Sequence, residues 1–304
     1  TYDRVYTGYH RYPRRWLYLL KKSVRISFFH EQKGSVNMAV SLEDCLVIGI
    51  SSRALFDLDD ENYIYETKGL QAYSEYQLAH EQEILKPGSG FALVKALLKL
   101  NESSKKRRVE VLIMSRNSAD TSLRIFTSIA HYGLDITRAV LSGGGPLTGY
   151  LKAFGVDLFL SANEEDVRSA LAAGFAAGRI YTNAIEGYDP LQDIAQIRIA
   201  FDGDAVLFSD ASEQIFQKDG LEAFAEHEKA CARQVLPEGP FAQFLKTIAA
   251  LQKEFEGHAP IRTALVTARN APAHERVIRT LRAWDVRIDE AFFLGGIKIG
   301  RASC

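Results

Sequence analysis

The pattern of apolar runs and chain breaks in the first part of this sequence recurs in the second part about 150 residues later. Four landmarks recur in the same order: Ser51 and Asp202, Phe91 and Phe241, Ser115 and Thr267, Gly143 and Gly295. Four matches in one order at one offset indicate an internal duplication. The chain is therefore expected to fold as one set of strands and helices built twice.

Within each copy, short apolar runs of strand type alternate with helical stretches. The predicted strands are Cys45–Ile50, Val109–Met114, Ala139–Leu141, Leu158–Leu160, Ile197–Phe201, Ala264–Val266 and Ala291–Leu294. The predicted helices are Asp57–Ile84, Phe91–Leu100, Thr121–Tyr132, Tyr150–Phe154, Ser212–Gln234, Phe241–Phe255 and His274–Trp284. This alternation is typical of α/β proteins with parallel sheets.

The copies divide the chain into three parts. Residues 38–195 form the first half and residues 196–304 the second half, and 304 residues suffice for two domains of ordinary size. Residues 1–37 interleave Arg and Lys with Tyr and Trp, a composition that could bind single-stranded nucleic acid or target the chain. We favour a third interpretation, an atypical extension outside the functional fold.

Composition argues against several classes of protein. The net charge of −1 gives no global field that favours nucleic acid. The three cysteines are scattered, which fits a reducing, cytoplasmic setting and neither a disulfide framework nor a zinc site. No run approaches the roughly 20 apolar residues of a membrane helix. The oligomeric state is left open, with a homo-oligomer as one option.

A pair of carboxylates follows the first predicted strand of the second half. Asp202 and Asp204 are spaced i, i+2 after the apolar run Ile197–Phe201. Residues two apart in a strand point the same way, and the carboxyl ends of parallel strands are where ligands bind in open α/β sheets. Two adjacent acids can hold a hard divalent cation such as Mg²⁺. The alternative is an ordinary turn, since Asp-Gly pairs are common turn chemistry.

The duplication helps to decide between these alternatives. The first half has Ser51 and Arg53 at the positions that correspond to Asp202 and Asp204. A turn would not require acids in one copy only, whereas a metal site would. We therefore assign the chemistry to the second half and a structural or substrate-facing role to the degenerate first half.

Several segments carry a resemblance to a known family. Asp202-Gly203-Asp204-Ala205-Val206 resembles the first motif of the haloacid dehalogenase (HAD) superfamily, and Leu265-Val266-Thr267-Ala268 resembles its second. AFDGDAVLFSD (200–210), LVTAR (265–269) and ISSRALFDL (50–58) resemble more narrowly the cytosolic 5′-nucleotidase I family. The resemblance runs from about Met38 to about Gly296 and implies two HAD-like, Rossmannoid halves with a small helical cap at 211–236.

The resemblance implies a Mg²⁺-dependent hydrolase of nucleoside 5′-monophosphates. Asp202 would be the nucleophile that forms an aspartyl-phosphate, and Asp204 the general acid and base. Thr267 and the adjacent Ala268 would hold the phosphoryl group, with Asp202 and Asp204 as metal ligands. Two alternatives remain: a catalytically impaired nucleotide-binding protein, or an HAD phosphatase for another phosphomonoester.

The end of the sequence departs from the family pattern. Family spacing puts the third-motif lysine at Ile299, while the lysine present is Lys298, which either reaches the phosphate or is an ordinary surface lysine. The acidic fourth motif does not appear before Cys304. From this we expect a second half that is truncated at its C-terminus, with activity in doubt.

Other residues have both a functional and a structural interpretation. Arg269 could pair with the substrate phosphate or be an exposed helix-start arginine. Ser209 and Asp210 could line the mouth of the pocket or serve a turn and a helix N-cap. Within the cap, the candidate substrate contacts are Glu213, Phe216, Phe224 and His227. Gly143-Gly144-Gly145 lacks the spacing of a phosphate loop and is predicted to be a turn.

Overall fold

The computed structural model describes residues 42, 44–182, 189–255 and 260–295. These residues belong to one compact unit, Leu42–Cys304. The predicted extension of residues 1–37 and the candidate Lys298 lie outside the described residues, as do the side chains of Glu213 and Phe216 within the cap.

The first half is a five-stranded parallel sheet in the order β3-β2-β1-β4-β5. Its strands are β1 Leu46–Ile50, β2 Val109–Ser115, β3 Arg138–Leu141, β4 Leu158–Ser161 and β5 Ala177–Arg179. Its helices are α1 Ser52–Leu55, α2 Asp59–Ala79, α3 Phe91–Lys99, α4 Leu123–His131, α5 Thr148–Phe154 and α6 Glu164–Ala172. Every residue of β1 and β2 is buried, which explains their nearly continuous apolar sequence.

The second half repeats this order with a three-stranded parallel sheet, β6-β7-β8. Its elements are β6 Ile197–Asp202, α7 Ala211–Ala230, α8 Ala242–Glu254, β7 Ile261–Thr267, α9 His274–Ala283 and β8 Glu290–Phe293. The prediction of an α/β fold with parallel sheets is confirmed. Two elements were not predicted from the sequence: helix α6, and strand β5, which extends the first sheet beyond β4. No helix within the described ranges is long and apolar enough to cross a membrane.

The duplication extends to unusual backbone features. Helices α2 and α7 are each interrupted by a glycine with φ near +83°, Gly69 and Gly220. An isolated antiparallel bridge closes the base of each helical excursion, Phe56 with Pro87 and Phe208 with Glu238. Such features are set by backbone geometry, so their recurrence shows that both halves follow one chain path.

The two halves share a hydrophobic core. Helix α8 of the second half packs against β1, and α3 of the first half packs against β6. One continuous cluster of buried apolar side chains runs from Leu46 and Ile48 in β1 to Leu245 and Ile248 in α8. The first half therefore buries the apolar face of the second and fixes its sheet.

Asp157 joins the halves at this contact. Its carboxylate accepts hydrogen bonds from the Val47 N–H (2.9 Å) and from the Thr247 hydroxyl on α8 (3.0 Å). Burial raises the pKa of Asp157 above its ordinary value of 3.8, and these two hydrogen bonds offset only part of that effect. The charged form is therefore less favoured in the folded protein than in the unfolded chain.

The Asp157→Asn variant should gain stability relative to the wild type as the pH rises. A raised native pKa gives stability that is present below pH 3.8 and is lost as the pH rises through the native pKa. Asparagine keeps both contacts, with its amide donating to the Thr247 hydroxyl, and it does not titrate. Urea unfolding of both proteins between pH 4 and 7 measures the difference, and a difference independent of pH would contradict the assignment.

The bridge in the second half depends on a close backbone approach. A Cβ on Gly239 would lie 2.5 Å from the Val206 carbonyl oxygen and 2.6 Å from that of Phe208. In the first half, a Cβ on Gly88 would lie 2.8 Å from the Phe56 carbonyl carbon. Only glycine allows the two strands of each bridge to meet at these distances.

Gly239→Ala and Gly88→Ala should each destabilise the protein by about 1–3 kcal/mol, as overpacking does. Only Gly239→Ala should increase hydrogen exchange of the Phe208 amide, which donates to the Gly203 carbonyl at 2.9 Å. Chemical denaturation and amide exchange measure the two effects. Equal exchange at Phe208 in both variants would show that the bridges are not independent.

Candidate active site

The site is built where β6 ends. Asp202 is the last residue of β6, and Gly203–Leu207 form a single wide turn closed by the Phe208 N–H on the Gly203 carbonyl. Asp204 lies inside this turn with extended torsions (φ −84°, ψ 138°), followed by Ala205 in the left-handed region (φ +61°). Strand alternation therefore does not place Asp204, contrary to the reasoning from sequence, because the strand has ended.

Thr267 at the end of β7 lies beside this turn. A Cβ on Gly203 would lie only 3.0 Å from the Thr267 Cβ, so the missing side chain lets the turn approach β7. The buried Thr267 hydroxyl donates to Asp204 Oδ2 at 3.2 Å and accepts from the Arg269 N–H at 3.2 Å. The structure thus brings together two of the predicted site residues, Asp204 and Thr267.

Arg269 is buried, with 3% of its surface exposed, so the alternative of an exposed arginine is wrong. Its Nε and Nη2 donate to Asp204 Oδ1 at 3.0 and 2.6 Å, and Nη1 donates to Glu228. The Phe224 ring lies 5.4 Å from the guanidinium carbon. Burial would lower the pKa of Arg269, but Asp204 and Glu228 outweigh burial and hold it above its ordinary value.

Glu228 and Arg276 extend this contact, and the sequence analysis missed both. Glu228 is fully buried in the last turn of α7 and accepts from Arg276 Nη1 at 2.8 Å. The duplication could have indicated Glu228, because the corresponding residue of the first half is the neutral Gln77. This position is charged only in the half that has the paired acids, and that difference identifies it as a candidate site residue.

The remaining predicted residues surround this centre. Asp202 and Ala268 are exposed at the ends of the two strands. Asp210 is the N-cap residue of α7, but its carboxylate accepts from the Gln214 side chain (2.9 Å) and makes no bond to the helix backbone. Ser209 is half-buried, and its hydroxyl has no hydrogen-bond partner among the described residues. His227 is half-buried near the end of α7.

The corresponding edge of the first sheet has a different chemistry. The Ser51 hydroxyl accepts from the Ala54 N–H (3.2 Å) and so caps α1, while Arg53 pairs with Asp59 at 2.8 Å. In the glycine turn, the Gly143 and Gly144 N–H groups donate to backbone carbonyls at 3.1 and 2.6 Å, which confirms the predicted turn. The Ser51 hydroxyl and the glycine turn serve the backbone and Arg53 pairs with Asp59, so the positions that correspond to Asp202 and Asp204 hold no carboxylates.

The donor set was compared with what Mg²⁺ requires. The described residues contain no group of three or more His, Cys, Asp or Glu side chains suited to a metal ion. Mg²⁺ commonly keeps several waters and binds through one or two carboxylates plus substrate phosphate. Asp202, exposed at the strand end, fits that requirement, whereas the Asp204 carboxylate already accepts from Arg269 and Thr267.

The fold and the site define a Rossmann-like α/β protein with a carboxylate pair and a threonine hydroxyl at the ends of two adjacent strands. A family model described as 5′-nucleotidase matches residues 38–302. Human cytosolic 5′-nucleotidase 1B is 40% identical over 266 residues, which cover 84% of this chain and 43% of the human protein. The chain spans less than half the length of that curated relative, and no solved structure gives a significant match. The chain belongs to the cytosolic 5′-nucleotidase I family.

Arg269→Met should lower the free energy of unfolding by about 3–5 kcal/mol, because it removes the cation shared by the buried Glu228 and the half-buried Asp204. The matched control is Arg262→Met on β7, the strand that precedes Arg269, where the exposed arginine pairs with Glu290 at 2.7 Å. Exposed pairs of this kind contribute about 0–1 kcal/mol. Urea unfolding compares the two variants, and similar losses would contradict the buried pairing.

Proposed function

We propose that this chain carries the catalytic site of a Mg²⁺-dependent 5′-nucleotidase that converts nucleoside 5′-monophosphates to nucleosides and phosphate. The observation that carries the proposal is the contact of Asp204 with Thr267 and Arg269 beside Asp202, at the carboxyl edge of a parallel sheet. Ligands bind at this edge in open α/β sheets. The human relative's name supports the nucleotide substrate and a cytosolic location.

In the first step, an Asp202 carboxylate oxygen attacks phosphorus and the bond from phosphorus to the 5′ oxygen breaks. The electron pair of that bond goes to the 5′ oxygen, which takes the proton of the bound phosphate monoanion, relayed by the Asp204 carboxylate. The products of this step are a free nucleoside and an aspartyl-phosphate on Asp202. The exposure of Asp202 supports its role as nucleophile, since phosphate must reach it from solvent.

In the second step, water attacks the phosphorus of the aspartyl-phosphate. The Asp204 carboxylate takes a proton from the water and passes it to the departing phosphate as the bond from phosphorus to the Asp202 oxygen breaks. Phosphate leaves, and both carboxyl groups return to their starting states. We assign the Ala268 N–H, in a residue exposed at the end of β7, to a phosphoryl oxygen during both steps. The Thr267 hydroxyl would donate to that oxygen by turning its proton away from Asp204.

Mg²⁺ when bound would offset the repulsion between the phosphate and the acidic edge and stabilise charge on the transferred phosphoryl group. Asp202 is the side chain best suited to hold it. The Asp204 carboxylate accepts from Arg269 and Thr267, which leaves it less available as a metal ligand, and its proposed role in proton transfer rests on its position beside Asp202. This assignment refines the expectation that both side chains are ligands.

The Asp202→Asn variant should release phosphate from AMP at least about a thousandfold more slowly, because it removes the nucleophile. Acid quenching of the wild type with radiolabelled substrate should trap label on the protein, and the variant should trap none. A chelator should abolish wild-type activity, and added Mg²⁺ should restore it. Phosphate release from AMP, IMP and a sugar phosphate measures the substrate class.

The matched control is Asp193→Asn, an exposed carboxylate whose pairs with Lys95 and Lys99 lie on the surface. It should change the rate less than twofold. Activity that survives Asp202→Asn would defeat the mechanism. A folded wild type that binds AMP without turnover would favour a nucleotide-binding protein, and a preference for the sugar phosphate would indicate another phosphatase.

A further inference from the structure

A carboxylate far along the chain from the paired acids is buried close to them. Glu228 is fully buried in the last turn of α7. Its two carboxylate oxygens accept from two arginines, Oε2 from Arg269 Nη1 and Oε1 from Arg276 Nη1. Burying a carboxylate is costly unless it is paired and hydrogen-bonded, so this position is a specific arrangement.

Arg269 connects Glu228 to Asp204 through one rigid group. The guanidinium is planar, and its five N–H donors have fixed directions. Nη1 donates to Glu228 while Nε and Nη2 donate to Asp204. When one edge of the plane is fixed on Glu228, the direction of the other edge, and of the carboxylate that it holds, is fixed as well.

Arg276 fixes Glu228 in turn. Its Nε donates to the Gln234 carbonyl at 3.0 Å, just beyond the end of α7, while Nη1 donates to Glu228. The last turn of the cap helix is therefore attached to α9 on one side and to Arg269 on the other. Movement of this turn would move the guanidinium that orients Asp204.

The first half shows which parts of this arrangement the fold itself needs. Arg124, the counterpart of Arg276, donates through Nε to the Glu83 carbonyl at the same distance of 3.0 Å. The counterpart of Glu228 is Gln77, which is buried and donates to the Tyr73 hydroxyl at 2.9 Å. Arg124 also donates through Nη1 to the buried Glu61 at 2.5 Å, so both halves pair this arginine with a buried carboxylate. What the second half adds is Arg269, which stands where the first half has Asn117 and joins that carboxylate to Asp204.

We propose that Glu228 is a positioning residue that holds Asp204, through Arg269, in line with the leaving oxygen of the nucleotide. The inference rests on the proposed function and deepens it. In this arrangement Asp204 is oriented only when the last turn of α7 is docked against Arg269. Glu228 touches neither substrate nor reacting atoms in this role. Its loss misaligns proton donation and leaves the nucleophile in place.

The test compares two leaving groups in the Glu228→Gln variant. One substrate is AMP, and the other is AMP with its bridging 5′ oxygen replaced by sulfur, whose thiolate leaves without a proton. The value of kcat/KM reports the first chemical step for both. We expect Glu228→Gln to lower kcat/KM at least tenfold for AMP and less than threefold for the sulfur compound.

The matched control is Gln77→Ala, which removes the corresponding buried side chain of the first half and should leave the ratio of the two kcat/KM values unchanged. If Glu228→Gln does not fold, Glu228→Asp keeps the charge but shortens its reach and should show the same selective loss. An equal loss for both substrates, or no loss, overturns the inference. A wild type that hydrolyses no phosphomonoester overturns the proposed function itself.

Discussion

The site depends on a chain of four charges that are mostly removed from water. Arg276, Glu228, Arg269 and Asp204 alternate in sign, and each is hydrogen-bonded to the next. In a low-dielectric interior such a chain is tolerable only when it is complete, because any one charge left alone would bear its full desolvation cost. The four residues come from α9, the end of α7, the segment after β7 and the turn after β6. The charge chain therefore makes the relative positions of these four segments interdependent.

The duplication separates what the fold requires from what the chemistry requires. The Leu85 N–H donates to the Ser128 hydroxyl at 2.9 Å, and the Leu236 N–H donates to the Thr280 hydroxyl at the same distance. Such bonds satisfy buried backbone groups, which both halves possess, so both halves keep them. At the strand ends that open to solvent, only the second half has the pair of acids, with Asp202 in place of Ser51. The first half contributes buried apolar side chains that pack against β6 and α8.

Much of the fold could be predicted from the sequence because the evidence was local or repeated. Apolar runs identified the strands from β1 to β4 and from β6 to β8, and the repeat identified the second half as the one with the acids. The strand β5 was missed because Ala177–Arg179 is three residues long and carries no apolar run. The Asp-Gly turn was weighed only as the alternative to a metal site, whereas the structure has a turn there and Asp204 lies inside it.

The site residues that could be predicted are those recognised by their spacing along the chain. Those whose role depends on a partner far along the chain could not be predicted. Asp204 and Thr267 were predicted together, since each follows a strand of the same sheet. The partners of Arg269 could not be predicted, because Glu228 lies 41 residues away on a helix whose packing the sequence does not specify. A charged side chain inside an amphipathic helix is usually solvated, so burial of Glu228 had to be observed.

The position of the cap in the chain gives a physical reason for the Glu228 contact. Helix α7 leaves the site immediately after the turn that holds Asp204, and the chain returns through the bridge between Phe208 and Glu238. The outgoing and returning segments of this excursion are joined by a hydrogen bond from the Ser209 N–H to the Pro237 carbonyl (2.9 Å), so its base has little freedom. An excursion that is fixed at its base moves mainly through its far end, while its last turn is held by Arg269 and Arg276. Glu228 lies in that last turn, which is where a contact converts the position of the cap into the orientation of an acid.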